Sequence, residues 1–334
     1  MIEKLAPQIL EEIKKAQNIL LHCHPSADAD SVGGALAMMH VLEGMDKKVT
    51  VIRGDSEISQ GFAILPGIKK ILPKNFFEID LAQFDLFIIQ DSASLDRISC
   101  IAPVVFPASL KTINIDHHIT NKNFAEINLV EATYPATCQV LYDLFVAWNV
   151  AITPEIAKCL MLGMYSDTGG FSFQNTKSST LASAADLAKI APDFTSTLSY
   201  MDNSNTPGVI AFEALALSSV TLHCHNSVAI SAVSYDALQE KKIKKEEIFV
   251  GIANTLKSVI GWEIGVKMVE DEPNKVKASF RTRDSGKYDV SKIAAALGGG
   301  GHKDASGATL KTSLNEAVKK VVETIGSIYP DLKE

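Results

Sequence analysis

The segment His22-Cys23-His24-Pro25-Ser26-Ala27-Asp28-Ala29-Asp30 directly follows the apolar run Ile19-Leu20-Leu21. A second polar segment, Asp116-His117-His118, follows the apolar run Ile113-Asn114-Ile115 in the same way. Short apolar runs of this kind predict buried strands. Open α/β sheets build their sites from side chains at the carboxyl ends of such strands. We therefore expect both segments to meet at one edge of a parallel sheet.

Two further aspartates belong with these segments. Asp91 follows the apolar run at 84–90, and Asp167 comes after a helical pattern, within the segment 164–170. Aspartate also caps helices and forms turns, which explains any one of these acids but not the whole ordered set. Acids and imidazoles crowded together repel one another and are costly to desolvate, so cations are their natural partners. The sequence predicts a metal centre.

The types of ligand in this set bear on the metal and the chemistry. Mixed imidazole and carboxylate ligands suit manganese, cobalt, iron or zinc better than magnesium, which prefers oxygen ligands and several waters. Two ions that share a bridging carboxylate can activate water and hold a phosphoryl group. We therefore predict a hydrolytic site with two metal ions.

The order of these motifs resembles the DHH phosphoesterase superfamily. The matching pattern is His24-x3-Asp28-x-Asp30-x2-Gly33, then Asp91, then Asp116-His117-His118, then Asp167-Thr168-Gly169. Far downstream, residues 298–307 resemble the glycine-rich substrate loop of the DHHA1 domain that accompanies it. The branch most similar to this chain is the bacterial nanoRNase and pAp-phosphatase group. Ala27 and Gly34 depart from that pattern, since many members have proline and serine there, but neither is a ligand position.

The resemblance implies roles for individual residues. It assigns one metal to His24, Asp28 and Asp91, with Asp91 also bridging to a second metal held by Asp30, His117 and Asp167. It places His118 near the substrate phosphate, and Asp116 joins Asp91 and His118 in the predicted catalytic set. The implied cofactor is a pair of divalent ions, Mn²⁺ first, with Mg²⁺, Co²⁺ or Zn²⁺ as alternatives.

The glycine run near the carboxyl end is the predicted substrate loop. Four glycines precede His302 and Lys303, and a simple flexible link needs neither so many glycines nor the cations after them. Glycine lets backbone N–H groups approach a phosphate closely. The predicted substrate-binding residues are Arg281, placed by the resemblance, together with Gly299, Gly300, Gly301 and His302.

Length and composition predict an ordinary two-domain protein. The chain has 334 residues, 46% hydrophobic and 21% charged, with a net charge of −7. Alternating strands and helices predict an α/β domain at 1–191, with a mainly parallel sheet and helices on both faces. After a linker at 192–211, a smaller α+β domain is predicted at 212–334. The acidic balance argues against general nucleic-acid binding, so attraction for an anionic substrate must be local.

The cysteines and the lengths of the apolar runs bear on where in the cell the protein is located. Its five cysteines are scattered without a CxxC pair, which favours free thiols over a disulfide framework or zinc ribbon. The amino-terminal pattern is amphipathic, and no apolar run reaches the length of a membrane span. We expect a cytoplasmic protein without a membrane partner. The oligomeric state is open, with a homodimer as one option.

The predicted activity is metal-dependent hydrolysis of short nucleotides. The expected substrates are nanoRNA, linear dinucleotides such as pApA, or 3′-phosphoadenosine 5′-phosphate (pAp), and short single-stranded RNA or DNA is the expected partner. Three alternatives stand beside it: a manganese pyrophosphatase or polyphosphatase, a RecJ-like single-strand exonuclease, and a nucleotide-sensing binding protein. The glycine loop with His302 argues against the first, the chain length against the second, and the complete ligand set against the third.

Overall fold

The structure is a computed structural model that describes residues 1–248 and 251–332. The chain divides into two compact units, Met1–Ser204 and Asn205–Glu334. The predicted domains at 1–191 and 212–334 stay a prediction, and the last two residues of the second lie outside the described part. Within the predicted linker, residues 192–211, the chain forms one helix and begins another.

The first unit alternates strands and helices, as the sequence pattern predicts. Its strands are β1 (Asn18–His22), β2 (Lys48–Ile52), β3 (Ile71–Leu72), β4 (Leu86–Gln90), β5 (Lys111–Asp116) and β6 (Ile127–Val130). Its helices are α1 (Ile2–Lys15), α2 (Ala29–Glu43), α3 (Thr137–Ala147), α4 (Pro154–Asp167), α5 (Ser178–Ile190) and α6 (Phe194–Asp202).

The six strands of this unit form one parallel sheet in the order β3-β2-β1-β4-β5-β6. The central strand β4 is buried along its whole length because both faces of the sheet are covered. Strand order reverses direction between β1 and β4, and open α/β sheets form a crevice at such a point. The α/β prediction is confirmed.

Two apolar cores cover the sheet. Helices α1–α5 share one core with alternate strand residues, such as Ile19 and Ile88. The intervening residues, such as Leu20 and Phe87, face the other core, which contains Phe76 and Ile98. Short 3₁₀ helices at Phe76–Glu78, Leu81–Gln83 and Leu95–Arg97 lie in the segments that cover this second face.

Helices α2 and α4 pack very closely. A Cβ placed on Gly33 of α2 would lie 2.4 Å from the backbone oxygen of Cys159 in α4. A Cβ on Gly163 of α4 would lie 2.7 Å from Oδ1 of Asp30. Glycine is therefore required at both positions for the two helices to approach as they do.

The second unit is an α+β fold. Its strands are β7 (Val220–His223), β8 (Val228–Val233), β9 (Ile264–Glu272), β10 (Lys275–Thr282), β11 (Gly300–Gly301) and β12 (Ala305–Leu310). Its helices are α7 (Pro207–Ser218), α8 (Tyr235–Glu240), α9 (Ile252–Lys257), α10 (Val290–Ala296) and α11 (Leu314–Ile328).

The strands of the second unit form a sheet in the order β11-β12-β10-β9-β8-β7. Only β8 and β9 run parallel among the described pairs, and the others are antiparallel. The predicted smaller α+β domain is confirmed in its fold class. Over residues 1–248 and 251–332, no helix has the length and apolar character to cross a membrane.

Candidate metal centre

Three neighbouring strands deliver the predicted ligands to one edge of the first sheet. His24 lies two residues after β1, Asp91 directly follows β4, and Asp116 ends β5. His117 and His118 come next in the chain. Because these strands are parallel and adjacent, their carboxyl ends meet at the point where the strand order reverses.

Helix ends supply the remaining carboxylates. Asp28 caps the amino end of α2 by accepting a hydrogen bond from the Ser31 N–H at 3.0 Å. Asp30, in the first turn, accepts hydrogen bonds from the backbone N–H groups of Thr137 (2.6 Å) and Cys138 (2.9 Å), which begin α3. Asp167 is the last residue of α4. Each acid is therefore fixed by a helix end.

The carboxylate of Asp91 lies between two groups of ligand atoms. Its Oδ2 is 3.2 Å from Nε2 of His24, which is also 3.5 Å from Oδ2 of Asp28. Its Oδ1 is 3.6 Å from Nε2 of His117, which is 3.5 Å from Asp167 and 4.0 Å from Asp30. Asp91 thus presents one oxygen to each group.

The ligand atoms fall into three sets that could each hold a metal ion. Two of the sets correspond to the groups just described, namely His24 with Asp28 and Asp91, and His117 with Asp30 and Asp167. The third set contains Asp91, His117 and His118. The six ligands predicted from the sequence therefore come together. Their assignment to particular metal ions stays a prediction.

The tautomers of the two histidines fit metal ligation. Nδ1 of His24 lies 2.9 Å from the carbonyl of Pro25, and Nδ1 of His117 lies 3.3 Å from the carbonyl of Tyr134. An Nδ1–H that donates to a carbonyl leaves the lone pair of Nε2 directed at the carboxylates. Nε2 of His117 is buried without a hydrogen-bond partner in the described structure. A cation between these atoms would satisfy both sides, so the residues present fit divalent metals.

The electrostatics of the protein groups lead to the same conclusion. Burial, followed by the charges of Asp91 and Asp28, raises the pKa of Asp30. Burial and then the charge of Asp30 raise the pKa of Asp167. Burial alone would lower the pKa of His24, but hydrogen bonds to Asp28 and Asp91 raise it to about 10. In the absence of a cation, protons must compensate this crowd of negative charge.

His118 is oriented by Asp116. Its Nδ1 donates to Oδ1 of Asp116 at 2.7 Å, and Nδ2 of Asn121 donates to the other carboxylate oxygen at 2.6 Å. Asp116 is fully buried, so this arrangement holds the imidazole beside Asp91, 3.6 Å from its Oδ1. Asp116 therefore orients His118, and it belongs to none of the three sets of candidate ligands.

Two nearby side chains were missed by the sequence analysis. Arg97 places Nη2 3.1 Å from both ring nitrogens of His24, and Thr137 donates its hydroxyl to Oδ1 of Asp91 at 3.3 Å. Neither residue lies in a recognisable motif. Only the tertiary fold brings them to residues that are 73 and 46 positions away in sequence.

The predicted substrate residues lie together in the second unit. The glycine run forms a hairpin, because β11 pairs with β12 and the backbones of His302 and Ala305 exchange hydrogen bonds of 2.8 and 3.2 Å. Ala305 in turn pairs with Arg281 on β10. Arg281 and His302 are therefore neighbours across three strands, and His302 is exposed.

The local structure requires glycine at two positions of this hairpin, whether or not a ligand binds there. A Cβ on Gly299 would lie 2.1 Å from the backbone oxygen of Gly307, and Gly301 adopts a φ of +138°. A Cβ on Gly300 meets nothing within 4 Å. The backbone at Gly300 is accordingly open to a ligand, whereas Gly299 and Gly301 have a structural reason that the sequence did not reveal.

Comparison with known proteins identifies this arrangement. Residues 18–164 match the DHH family, N-terminal domain, and residues 225–328 match the DHHA1 domain. A bifunctional oligoribonuclease and PAP phosphatase NrnA of Thermus thermophilus is 30% identical over 331 residues, covering 96% of this chain and 93% of that protein. The chain belongs to the DHH family.

Two further proteins resemble this DHH protein over nearly all of its length. The bifunctional oligoribonuclease and PAP phosphatase NrnA of Mycoplasma pneumoniae is 25% identical, and the aligned region covers 91% of this chain and 91% of that protein. An exopolyphosphatase-related protein from Bacteroides fragilis has the same fold, with a TM-score of 0.89, 23% identity, and coverage of 99% of this chain and 98% of that one. The predicted family is confirmed, and the protein is a metal-dependent phosphoesterase of that family.

Proposed function

We propose that this DHH protein hydrolyses the phosphate esters of short nucleotides at a site that holds two divalent metal ions. The substrates are nanoRNA of a few nucleotides, linear dinucleotides such as pApA, or pAp. The mixture of imidazoles and carboxylates suits manganese, cobalt, iron or zinc, and the family resemblance puts manganese first. The names of the relatives from Thermus and Mycoplasma, which span both domains, support this substrate class.

The position of Asp91 carries the proposal. One of its oxygens lies in each of two ligand groups, so a single carboxylate would contact both ions. When bound, the two ions would activate a water and neutralise charge on the phosphate. The ligand atoms are fixed by strand ends and helix ends, which keeps the distance between the two groups constant.

Other residues of the site would act on the substrate directly. The carboxylate of Asp116 accepts a hydrogen bond from the Nδ1–H of His118. Nε2 of that ring would then contact a non-bridging oxygen of the phosphate. Arg97 adds a guanidinium beside His24. Positive groups aimed at a phosphate stabilise the charge that develops on its oxygens during hydrolysis.

The second unit supplies groups suited to the rest of a nucleotide. Arg281 can bind phosphate oxygens in bidentate fashion, and the exposed His302 follows the open backbone of Gly300. Inorganic pyrophosphate has no nucleoside for these groups to bind. We therefore expect selectivity for nucleotides. The cytoplasmic location and the homodimer stay predictions.

A panel of substrates tests the proposal. The purified protein with Mn²⁺ is incubated with pAp, pApA, RNA and DNA oligomers of increasing length, and pyrophosphate. We expect release of mononucleotides from the short nucleotides, loss of activity with chelator, and loss in Asp91→Ala. The control Asp186→Asn changes an exposed aspartate of α5 that pairs with Lys189, and it should retain activity. Preferential hydrolysis of pyrophosphate would overturn the proposal.

A further inference from the structure

Residues 53–56, which follow β2, run along the backbone of the first metal-binding loop. The N–H of Ser26 donates a hydrogen bond to Oγ of Ser56 at 3.0 Å. A Cβ on Gly54 would lie 2.4 Å from the backbone oxygen of Cys23, and Gly54 adopts a φ of +73°. Glycine permits both this conformation and this close approach. The 53–56 segment is therefore held directly against the residues that flank His24.

The same segment binds a second part of the site through Asp55. Oδ1 of Asp55 accepts a hydrogen bond from Oγ of Ser99 at 2.8 Å, and Oδ2 accepts one from the backbone N–H of Cys100 at 2.6 Å. Both donors follow the 3₁₀ helix Leu95–Arg97 and lie 44 and 45 positions from Asp55 in sequence. Hydrogen bonds to an ionised acceptor are stronger than those between neutral groups. Asp55 thus fixes the chain just after Arg97.

The backbone of Arg97 is held from other directions as well. Its carbonyl lies 3.4 Å from Nε2 of His22 and 3.4 Å from Oγ of Ser92. The next residue, Ile98, is fully buried in the core on the second face of the sheet. With the backbone fixed on these sides and by Asp55, the direction in which the Arg97 side chain leaves it is fixed too.

The guanidinium of Arg97 lies over the ring of His24. Its Nη2 is 3.1 Å from both ring nitrogens. A nitrogen at equal distances from the two lies above the face of the ring, because Cε1 blocks the approach between them in the ring plane. The lone pair of Nε2, which is directed at Asp28 and Asp91, stays accessible. Arg97 therefore leaves this ligand group intact and places a positive charge beside it.

We propose that Asp55 is a positioning residue that holds the guanidinium of Arg97 where it contacts a phosphate bound at the metal centre. This inference deepens the proposed function and rests on the contact between Arg97 and the phosphate that it includes. The 53–56 segment binds the loop of His24 on one side and the segment of Arg97 on the other, so it sets the spacing between them. A displacement of about 1 Å is enough to weaken a contact of this kind severely.

A carboxylate that joins two loops would also stabilise the fold, and the two roles make different predictions. A residue that acts through Arg97 loses its effect on the substrate once Arg97 is removed. A residue that only stabilises the fold has the same effect whether or not Arg97 is present. A double-mutant cycle between Asp55 and Arg97 therefore separates the two roles.

Hydrolysis of bis-p-nitrophenyl phosphate with Mn²⁺ measures this cycle, because the diester requires only phosphoesterase activity. Arg97→Ala should lower kcat/KM about ten- to a hundredfold, and Asp55→Ala about tenfold. Added to Arg97→Ala, the change Asp55→Ala should alter kcat/KM by less than about twofold. Asp55→Asn, whose amide oxygen still accepts from the N–H of Cys100, should retain most of the activity. Equal effects of Asp55→Ala in the two backgrounds would overturn the inference.

Another 3₁₀ helix on the same face offers a matched control. Asp80 accepts hydrogen bonds from the N–H of Ala82 at 3.1 Å and from Nε2 of Gln83 at 3.2 Å. Neither donor belongs to the segment of Arg97, so Asp80→Ala should leave kcat/KM unchanged, and a similar fall would contradict a specific role for Asp55. If Asp55→Ala does not fold, Ser99→Ala gives the same decision. It removes one of the two hydrogen bonds and should cause a smaller fall that also disappears in Arg97→Ala.

Binding without hydrolysis separates this inference from the proposed function. In calorimetry, inorganic phosphate should bind Mn²⁺-loaded Asp55→Ala about tenfold more weakly than wild type, whereas Mn²⁺ should bind both equally well. Such a result in a protein that hydrolyses no nucleotide would refute the proposed substrates and keep the role of Asp55. Unchanged phosphate affinity would overturn the inference. So would an equal loss of Mn²⁺ affinity, because the 53–56 segment would then serve the metal ligands and not Arg97.

Discussion

Replacing Gly33 by alanine should disturb both the stability of the first unit and its metal centre. The new Cβ would lie 2.4 Å from the backbone oxygen of Cys159, about 1 Å below the 3.4 Å at which ordinary contact begins. A backbone oxygen in the middle of α4 cannot rotate away, so α2 and α4 must move apart. These helices carry Asp30 and Asp167, which share a ligand group with His117.

The neighbouring glycine provides an internal control. A Cβ on Gly34 would have Leu141 Cδ1 as its nearest contact, at 3.3 Å, and a terminal methyl can shift by a few tenths of an ångström. Both substitutions gain up to about 1 kcal/mol of helix propensity. Gly33→Ala alone incurs overpacking of about 1–3 kcal/mol. We expect it to be less stable than Gly34→Ala by about 2 kcal/mol.

Thermal unfolding and calorimetry measure this difference. For a unit of about 200 residues, 2 kcal/mol corresponds to a Tm difference of about 4–8 °C. Mn²⁺ affinity should fall in Gly33→Ala and stay close to wild type in Gly34→Ala. A Gly33→Ala protein that unfolds at or above the Tm of Gly34→Ala would refute the close approach of the two helices on which the reasoning depends.

Other changes test the metal centre and the substrate groups. Asp91→Ala should lose both bound Mn²⁺ and turnover, and near-normal activity would exclude a bridging role for this carboxylate. Because burial and then the charges of Asp91 and Asp28 raise the pKa of Asp30, a metal ion must displace a proton there. Calorimetry should show Mn²⁺ affinity rising from about pH 6 to about pH 8, and a flat profile would contradict this. Arg281→Ala and His302→Ala should each raise KM for nucleotides about ten- to a hundredfold, as steady-state kinetics can measure. On bis-p-nitrophenyl phosphate, which carries no nucleoside for these groups to bind, both should lower the rate far less than Asp28→Ala does, and an equal loss would refute separate roles for the two units.

The residues that gather in the candidate metal centre were predictable because they lie in local sequence patterns. His24, Asp91 and His117 each follow an apolar run, and such runs give strands whose carboxyl ends form sites. Asp116 was less certain from sequence, since the same pattern could make it a ligand, a cap or a partner of an imidazole. Its hydrogen bond to His118 distinguishes these roles only in the folded chain.

The glycine run shows where sequence reasoning stopped. Flexible approach to a phosphate and tight packing in a hairpin favour the same residue type. Gly299 and Gly301 are explained by contacts with Gly307 and Ser306, which depend on the pairing of β11 and β12. Gly300 has no such contact. Among the three predicted glycines, it is the one for which approach to a phosphate has no rival explanation from packing.

The sequence by itself determined the family, the alternation of strands and helices, and which residues are candidates to bind metal. These follow from residue type and spacing, which act over a few positions along the chain. Only the tertiary structure decided that Asp91 presents an oxygen to each ligand group, that Arg97 lies against His24, and that Asp55 binds the segment after Arg97. Those facts depend on strand order and register, because contacts between residues distant in sequence form only when a particular pairing of strands brings them together.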